Sequence, residues 1–157
     1  MDNLLSIDYK LTGAGWSACT LEARSAHIEL SASYLSDALG NMLLSATAIA
    51  SGFRTTEFGF DEEPGEYRWV VETLENNVTT LRILEFQELW GYKPNDAGRQ
   101  IFEASTTPVQ YAKAVHACAS RVLEEYGLKG YTERWTEHPF PEKQLALLGE
   151  VISSWEE

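Results

Sequence analysis

Residues 5 to 11 alternate strictly, with Leu5, Ile7, Tyr9 and Leu11 on one side and Ser6, Asp8 and Lys10 on the other. A period of two marks a half-buried strand. Gly13-Ala14-Gly15 is a turn signal, and a second alternating run follows from Trp16 to Ala23. Arg24-Ser25 reads as a tight turn into a third run, residues 26 to 32, with Ala26, Ile28 and Leu30 facing one way. The period then lengthens. Leu35, Ala38, Leu39, Met42, Leu43, Ala46 and Ile49 form the stripe of an amphipathic helix over 34–50, with Ser33 placed to cap it and Gly52 just past its end.

Strand patterning resumes at Phe53. Phe58 and Phe60 alternate with Glu57, Gly59 and Asp61, Pro64-Gly65 turns the chain, and Tyr67, Trp69 and Val71 share one face of the returning strand. Glu75-Asn76-Asn77 is the next turn, and 78–89 reads as a long strand in which Leu81, Ile83 and Glu85 share a side. A loop from Trp90 to Asp96 precedes a last short strand over 99–104. Thr107-Pro108 starts a helix expected to run to Tyr126, stopped by Gly127. Residues 130–138 look irregular, and Pro141 opens a final helix to about Ser154.

Three strands, a helix, three or four strands and two helices leave no crossover helix between most strands, which excludes a wholly parallel sheet. The expected fold is α+β: a bent antiparallel sheet of about six or seven strands, two main helices (34–50 and 108–126) on one face, and a C-terminal helix. No repeat, low-complexity tract or linker interrupts the pattern, so residues 1–157 are read as a single domain.

Composition narrows the function. At 44% hydrophobic and 23% charged residues the chain belongs with globular proteins rather than disordered ones. The formal charge is −12, from 12 bases and 24 acids. That disfavours nucleic-acid or anionic-membrane binding, which need clustered positive charge, and suits a basic partner. The charge is uneven: residues 55–90 hold nine acids and two bases, a net of −7. Glu57, Asp61, Glu62, Glu63, Glu66 and Glu72 are expected to point outward from these hairpins. They form the candidate partner-binding set together with the loop aromatics Trp90 and Tyr92. A solvated face that keeps the protein soluble is the competing reading. For the loop aromatics, among them Trp135 and Tyr131, plugging the open end of the sheet competes with forming an interface.

Chemistry-bearing motifs are missing from the pattern. His27, His116 and His138 belong to no HExxH, GxSxG or phosphate loop, and Gly13-Ala14-Gly15 lacks the third glycine and the following helix of a dinucleotide site. Asp61-Glu62-Glu63 lacks calcium-loop spacing. The expectation is therefore no catalytic residue, metal or cofactor. Glu85 is the one acid that interrupts an apolar strand, and a cross-strand pair with Arg82 or Arg99 is its expected role. Cys19 and Cys118 fit no zinc motif and read as two reduced, buried thiols, with a single bridge as the other possibility. The N-terminus has neither basic nor apolar signal regions, and a cytoplasmic protein is expected.

Several segments together resemble a group of small, acidic, largely uncharacterised bacterial proteins. They are Asp61-Glu62-Glu63-Pro64-Gly65-Glu66-Tyr67-Arg68-Trp69, Glu88-Leu89-Trp90-Gly91, Leu123-Glu124-Glu125-Tyr126-Gly127, Tyr131, Arg134-Trp135 and His138-Pro139-Phe140-Pro141. The resemblance spans roughly residues 30 to 148. Size, acidity and element order are also similar to bacterial immunity proteins of contact-dependent growth inhibition and related toxin systems. That resemblance implies a protein that neutralises a cognate toxin domain, a basic protein and a nuclease by expectation, by binding it. The alternative is a small-ligand or enzymatic domain with a pocket between sheet and helices, lined by Glu85, Trp90, Tyr92 and His116. Self-association through the Trp90–Pro94 loop is a third reading.

Overall fold

The computed structural model describes residues 5–24 and 26–156. The first four residues of the expected N-terminal reading, Ser25 of the expected turn, and Glu157 lie outside the described residues. Seven strands and three helices follow in the order β1 (Ser6–Gly13), β2 (Trp16–Ala23), β3 (Ala26–Ser33), α1 (Ala38–Ala50), β4 (Thr55–Asp61), β5 (Glu66–Thr73), β6 (Thr79–Phe86), β7 (Arg99–Thr106), α2 (Pro108–Trp135) and α3 (Glu142–Trp155). Every strand pairing is antiparallel, and the fold is α+β.

The strands form two sheets, β1-β2-β3 and β4-β5-β6-β7, rather than one bent sheet. They meet where β3 lies beside β4 and β7. At that seam serine hydroxyls take the place of a ladder. Ser33 Oγ donates to the Asp61 carbonyl at 3.0 Å, Asp61 N donates to Ser36 Oγ at 3.4 Å, and Ser31 Oγ donates to Glu62. This also moves the start of α1. Ser33, expected as its cap, is engaged at the seam, and Asp37 caps the helix by accepting from Gly40 N at 3.1 Å.

The helices cover one side. Helix α1 packs on β4 and β5, α2 on β1 and α1, and α3 against both helices. One apolar core joins all of these elements: Trp69, Phe60, Leu81 and Ile83 from the four-stranded sheet, Leu21 and Leu30 from the other, and Met42, Tyr111, Val115 and Leu148 from the helices. Each large apolar side chain fully withdrawn from water contributes about 1.5–3 kcal/mol. Tyr111 Oη is paired in this core with Ser45 Oγ at 2.7 Å, whereas Trp69 Nε1, Tyr131 Oη and Trp135 Nε1 are buried without a hydrogen-bond partner.

Helix α2 continues past the expected stop. Gly127 takes φ +69° and bends the chain, and the helix resumes to Trp135. Only glycine adopts that backbone without steric cost. The bend carries Tyr131 and Trp135 back over the core, where both are fully buried, and Gly15 N donates to the Arg134 carbonyl at 2.7 Å. Tyr131, Trp135 and the adjacent Phe140 are therefore plugs, not surface aromatics.

Candidate functional site

The outer face of β4–β7 carries what the core does not. Register places Glu57 opposite Val70, Gly59 opposite Arg68, and Asp61 opposite Glu66. Glu57, Asp61, Glu66 and Glu72 thus share one face with Arg68, Val70, Leu84 and Phe86. The last three apolar residues form a small buried cluster of their own. The chain between β6 and β7 folds back over them as a strap, and Gly98 makes this possible: a Cβ there would lie 2.6 Å from Phe86 Cζ.

The expected acids fasten this strap. Asp61 and Glu66 face each other across the β4–β5 hairpin, an unfavourable juxtaposition of like charge. Trp90 relieves it by donating from Nε1 to Asp61 Oδ2 at 3.1 Å and from its backbone N to Glu66 Oε1 at 3.2 Å. Further along, Arg68 Nη1 donates to the Lys93 carbonyl at 2.7 Å and to Asn95 Oδ1 at 2.8 Å, while Asn95 Nδ2 donates to Glu57 Oε2 at 2.9 Å. The Arg68 guanidinium also lies 4.2 Å above the Phe86 ring. Leu89 N reaches the Pro64 carbonyl at 2.8 Å and joins the strap to the hairpin turn.

The eight candidates thus divide. Glu57, Asp61, Glu66 and Trp90 form one connected network. Glu62 turns the other way, to Ser31 at the seam, and is half-buried. Glu63 is exposed at the turn and Glu72 at the opposite end of β5. Tyr92 is 86% exposed. Sequence reasoning missed Arg68 and Asn95, which tie the acids to the strap; the polar Arg68 amid the apolar residues of β5 was the available signal.

Among the described residues the only base ion-paired with these six acids is Arg68, 3.9 Å from Glu66. The partners of Glu57, Asp61 and Glu62 are Asn95, Trp90 and Ser31, neutral donors that bring no compensating positive charge. Such bonds fix carboxylates in place while leaving the negative field intact.

A cleft of about 350 Å³ opens beside the strap, lined among others by Glu66, Arg68, Glu85, Phe86, Tyr92 and Arg99. Glu85 is paired as expected: Arg99 donates to its Oε1 from Nη2 at 2.6 Å and from Nε at 3.1 Å. The four residues of the alternative reading, Glu85, Trp90, Tyr92 and His116, do not come together in a pocket between sheet and helices. That space is filled by Trp69, Phe60, Tyr111 and Trp135. Glu85, at the end of β6 on the same face as Leu81 and Ile83, reaches the edge of the cleft that Tyr92 also lines, whereas His116 sits on α2 against Gly149 of α3. Among the described residues no group of three or more His, Cys, Asp or Glu side chains is placed to hold a metal.

Cys19 and Cys118 are both free and buried. Burial pushes the Cys118 thiol up from 9.0 to about 12, with the Arg121 charge pulling the other way. Cys19 is raised well above its usual value by burial first and by Cys118 second. Thiols held protonated in this way are poor nucleophiles. No helix of the described residues is long and apolar enough to cross a membrane.

No family model and no curated protein matches the chain. Among solved structures, one chain of the CdiA-CT/CdiI toxin and immunity complex from Enterobacter cloacae is similar. It shares 14% sequence identity at a TM-score of 0.47, over 74% of this chain and 99% of that one.

Proposed function

We propose that this protein acts by binding, with no reaction of its own: an immunity protein that neutralises a cognate basic toxin domain, of nuclease type, through the acidic outer face of the β4–β5 hairpin and the adjoining strap. The observation that carries the reading is the way the acids are held. Glu57 and Asp61 are fixed by neutral donors on a sheet, so their charge is oriented but not cancelled. A nuclease must present positive charge to the phosphates of its substrate. Rigidly placed carboxylates meet the same surface, and the long-range field speeds encounter by about one to three orders of magnitude at low salt.

The test is calorimetry with the protein encoded by the gene's upstream neighbour, at two salt concentrations. A one-to-one complex is expected, with affinity falling about tenfold or more between low and high salt. Charge reversal at Glu63 and Glu72, which are exposed and ion-paired with no described residue, should slow association without altering the fold. Failure to form a complex, or a complex indifferent to both salt and charge reversal, refutes the reading.

A further inference from the structure

We propose that the strap between β6 and β7 is the specificity element of this face, with Tyr92 as its central contact, and that it fits a protein surface bearing an apolar spot ringed by lysine and arginine. This rests on the toxin-binding reading and names the residues that decide which toxin is bound. Tyr92 is 86% exposed and Trp90 is 51% exposed, two large rings side by side along the chain in water. Neither is needed to close the core, which other aromatics fill. Exposed Tyr and Trp with few rotatable bonds are the side chains on which binding energy concentrates, and they lose little entropy when a partner covers them.

The strap is already ordered for such a role. Asn95 links it at once to Glu57 and to Arg68, and Arg68 also holds the Lys93 carbonyl next to Tyr92. The backbone that carries Tyr92 therefore does not have to be ordered on binding, which saves the immobilisation term that flexible loops incur. The cleft of about 350 Å³ that Tyr92 borders offers room for a protruding side chain of the partner against Phe86. Charge selects the occupant. Asp61, Glu63, Glu66, Glu88 and Asp96 belong to the strap and the hairpin turn it touches, against Arg68, 3.9 Å from Glu66, and Lys93, 3.2 Å from Glu88, which leaves a net negative rim. An acidic rim around aromatic rings complements a basic rim around an apolar centre.

The experiment compares Tyr92→Ala, Asn95→Ala and the double variant against the protein encoded by the gene's upstream neighbour, by calorimetry and surface kinetics, with thermal unfolding of each variant alone. Tyr92→Ala is expected to weaken binding at least about tenfold through faster dissociation, at unchanged melting temperature. Asn95, a positioning residue, is expected to cost about threefold when truncated, to raise amide exchange over residues 90–98, and to add nothing once Tyr92 is gone. If the unaltered protein binds the toxin and Tyr92→Ala stays within about twofold, the strap is not the contact, although the toxin-binding reading survives. Additive losses in the double variant would overturn the positioning role of Asn95. Absence of any complex with the unaltered protein removes both readings together.

Discussion

The two faces of the four-stranded sheet are held by different forces. On the inner face Trp69, with its ring 5.0 Å from those of both Phe58 and Phe60, sits among Val71, Leu81 and Ile83 with essentially no water contact. Its stability comes from buried area and shape, which are non-directional. On the outer face the apolar cluster is only Val70, Leu84 and Phe86, and its cover is secured by directed bonds from Arg68, Asn95 and Trp90. One face spends its residues on the fold, while the other keeps charge and aromatic surface available.

Substitution at equivalent depth should separate them. Trp69→Ala leaves a large void on the inner face and is expected to cost about 3–5 kcal/mol in urea unfolding. A loss below about 1 kcal/mol would mean that the inner face can collapse around the gap. Alkaline titration probes the same interior. Cys118 is raised from 9.0 to about 12, and Cys19, Tyr9, Tyr111 and Tyr131 are raised as well, chiefly by burial. The unfolded chain releases these protons first, so their contribution is complete below about pH 9 and is lost as pH rises toward the folded values. Stability should fall by about 1.4 kcal/mol per pH unit for each group ionised only in the unfolded chain, with both thiols silent to reagent until then. Flat stability from pH 9 to 11 would contradict the sealed interior.

Outer-face effects should be smaller and local. Arg68→Ala removes the bonds to Lys93 and Asn95 together with the contact over Phe86, at a cost of about 1–3 kcal/mol. Amide exchange should quicken in 90–98 and stay unchanged in β5; exchange rising across the whole sheet would show that the two faces are not separable. Smallest is Glu72→Gln, exposed at the far end of β5, which should leave stability within about 0.5 kcal/mol.

Much of this contrast was legible in the chain. The period-two patterns of Phe58/Phe60, Tyr67/Trp69/Val71 and Leu81/Ile83/Glu85 assigned inner and outer faces correctly, and of the two partners expected for Glu85, Arg82 and Arg99, it is Arg99 that pairs with it. Three features were not legible. The division into two sheets depends on Ser31, Ser33 and Ser36 hydroxyls meeting residues at least 25 positions away. The resumption of α2 after Gly127 depends on the tertiary burial of Tyr131 and Trp135, which outweighs the local stop signal. The strap has no periodicity at all, and what orders it comes from Glu57, Asp61 and Arg68, all on other elements. The acids were recognised as a charged set, but their service as fasteners could be seen only once Trp90 and Asn95 were beside them.

Because the strap is fastened by side chains from outside the main core, most of its sequence is free to drift without endangering the fold. Under the proposed toxin-binding reading, changes near Tyr92 would retune the partner while the hydrophobic interior stayed as it is, so that recognition and folding draw on separate residues.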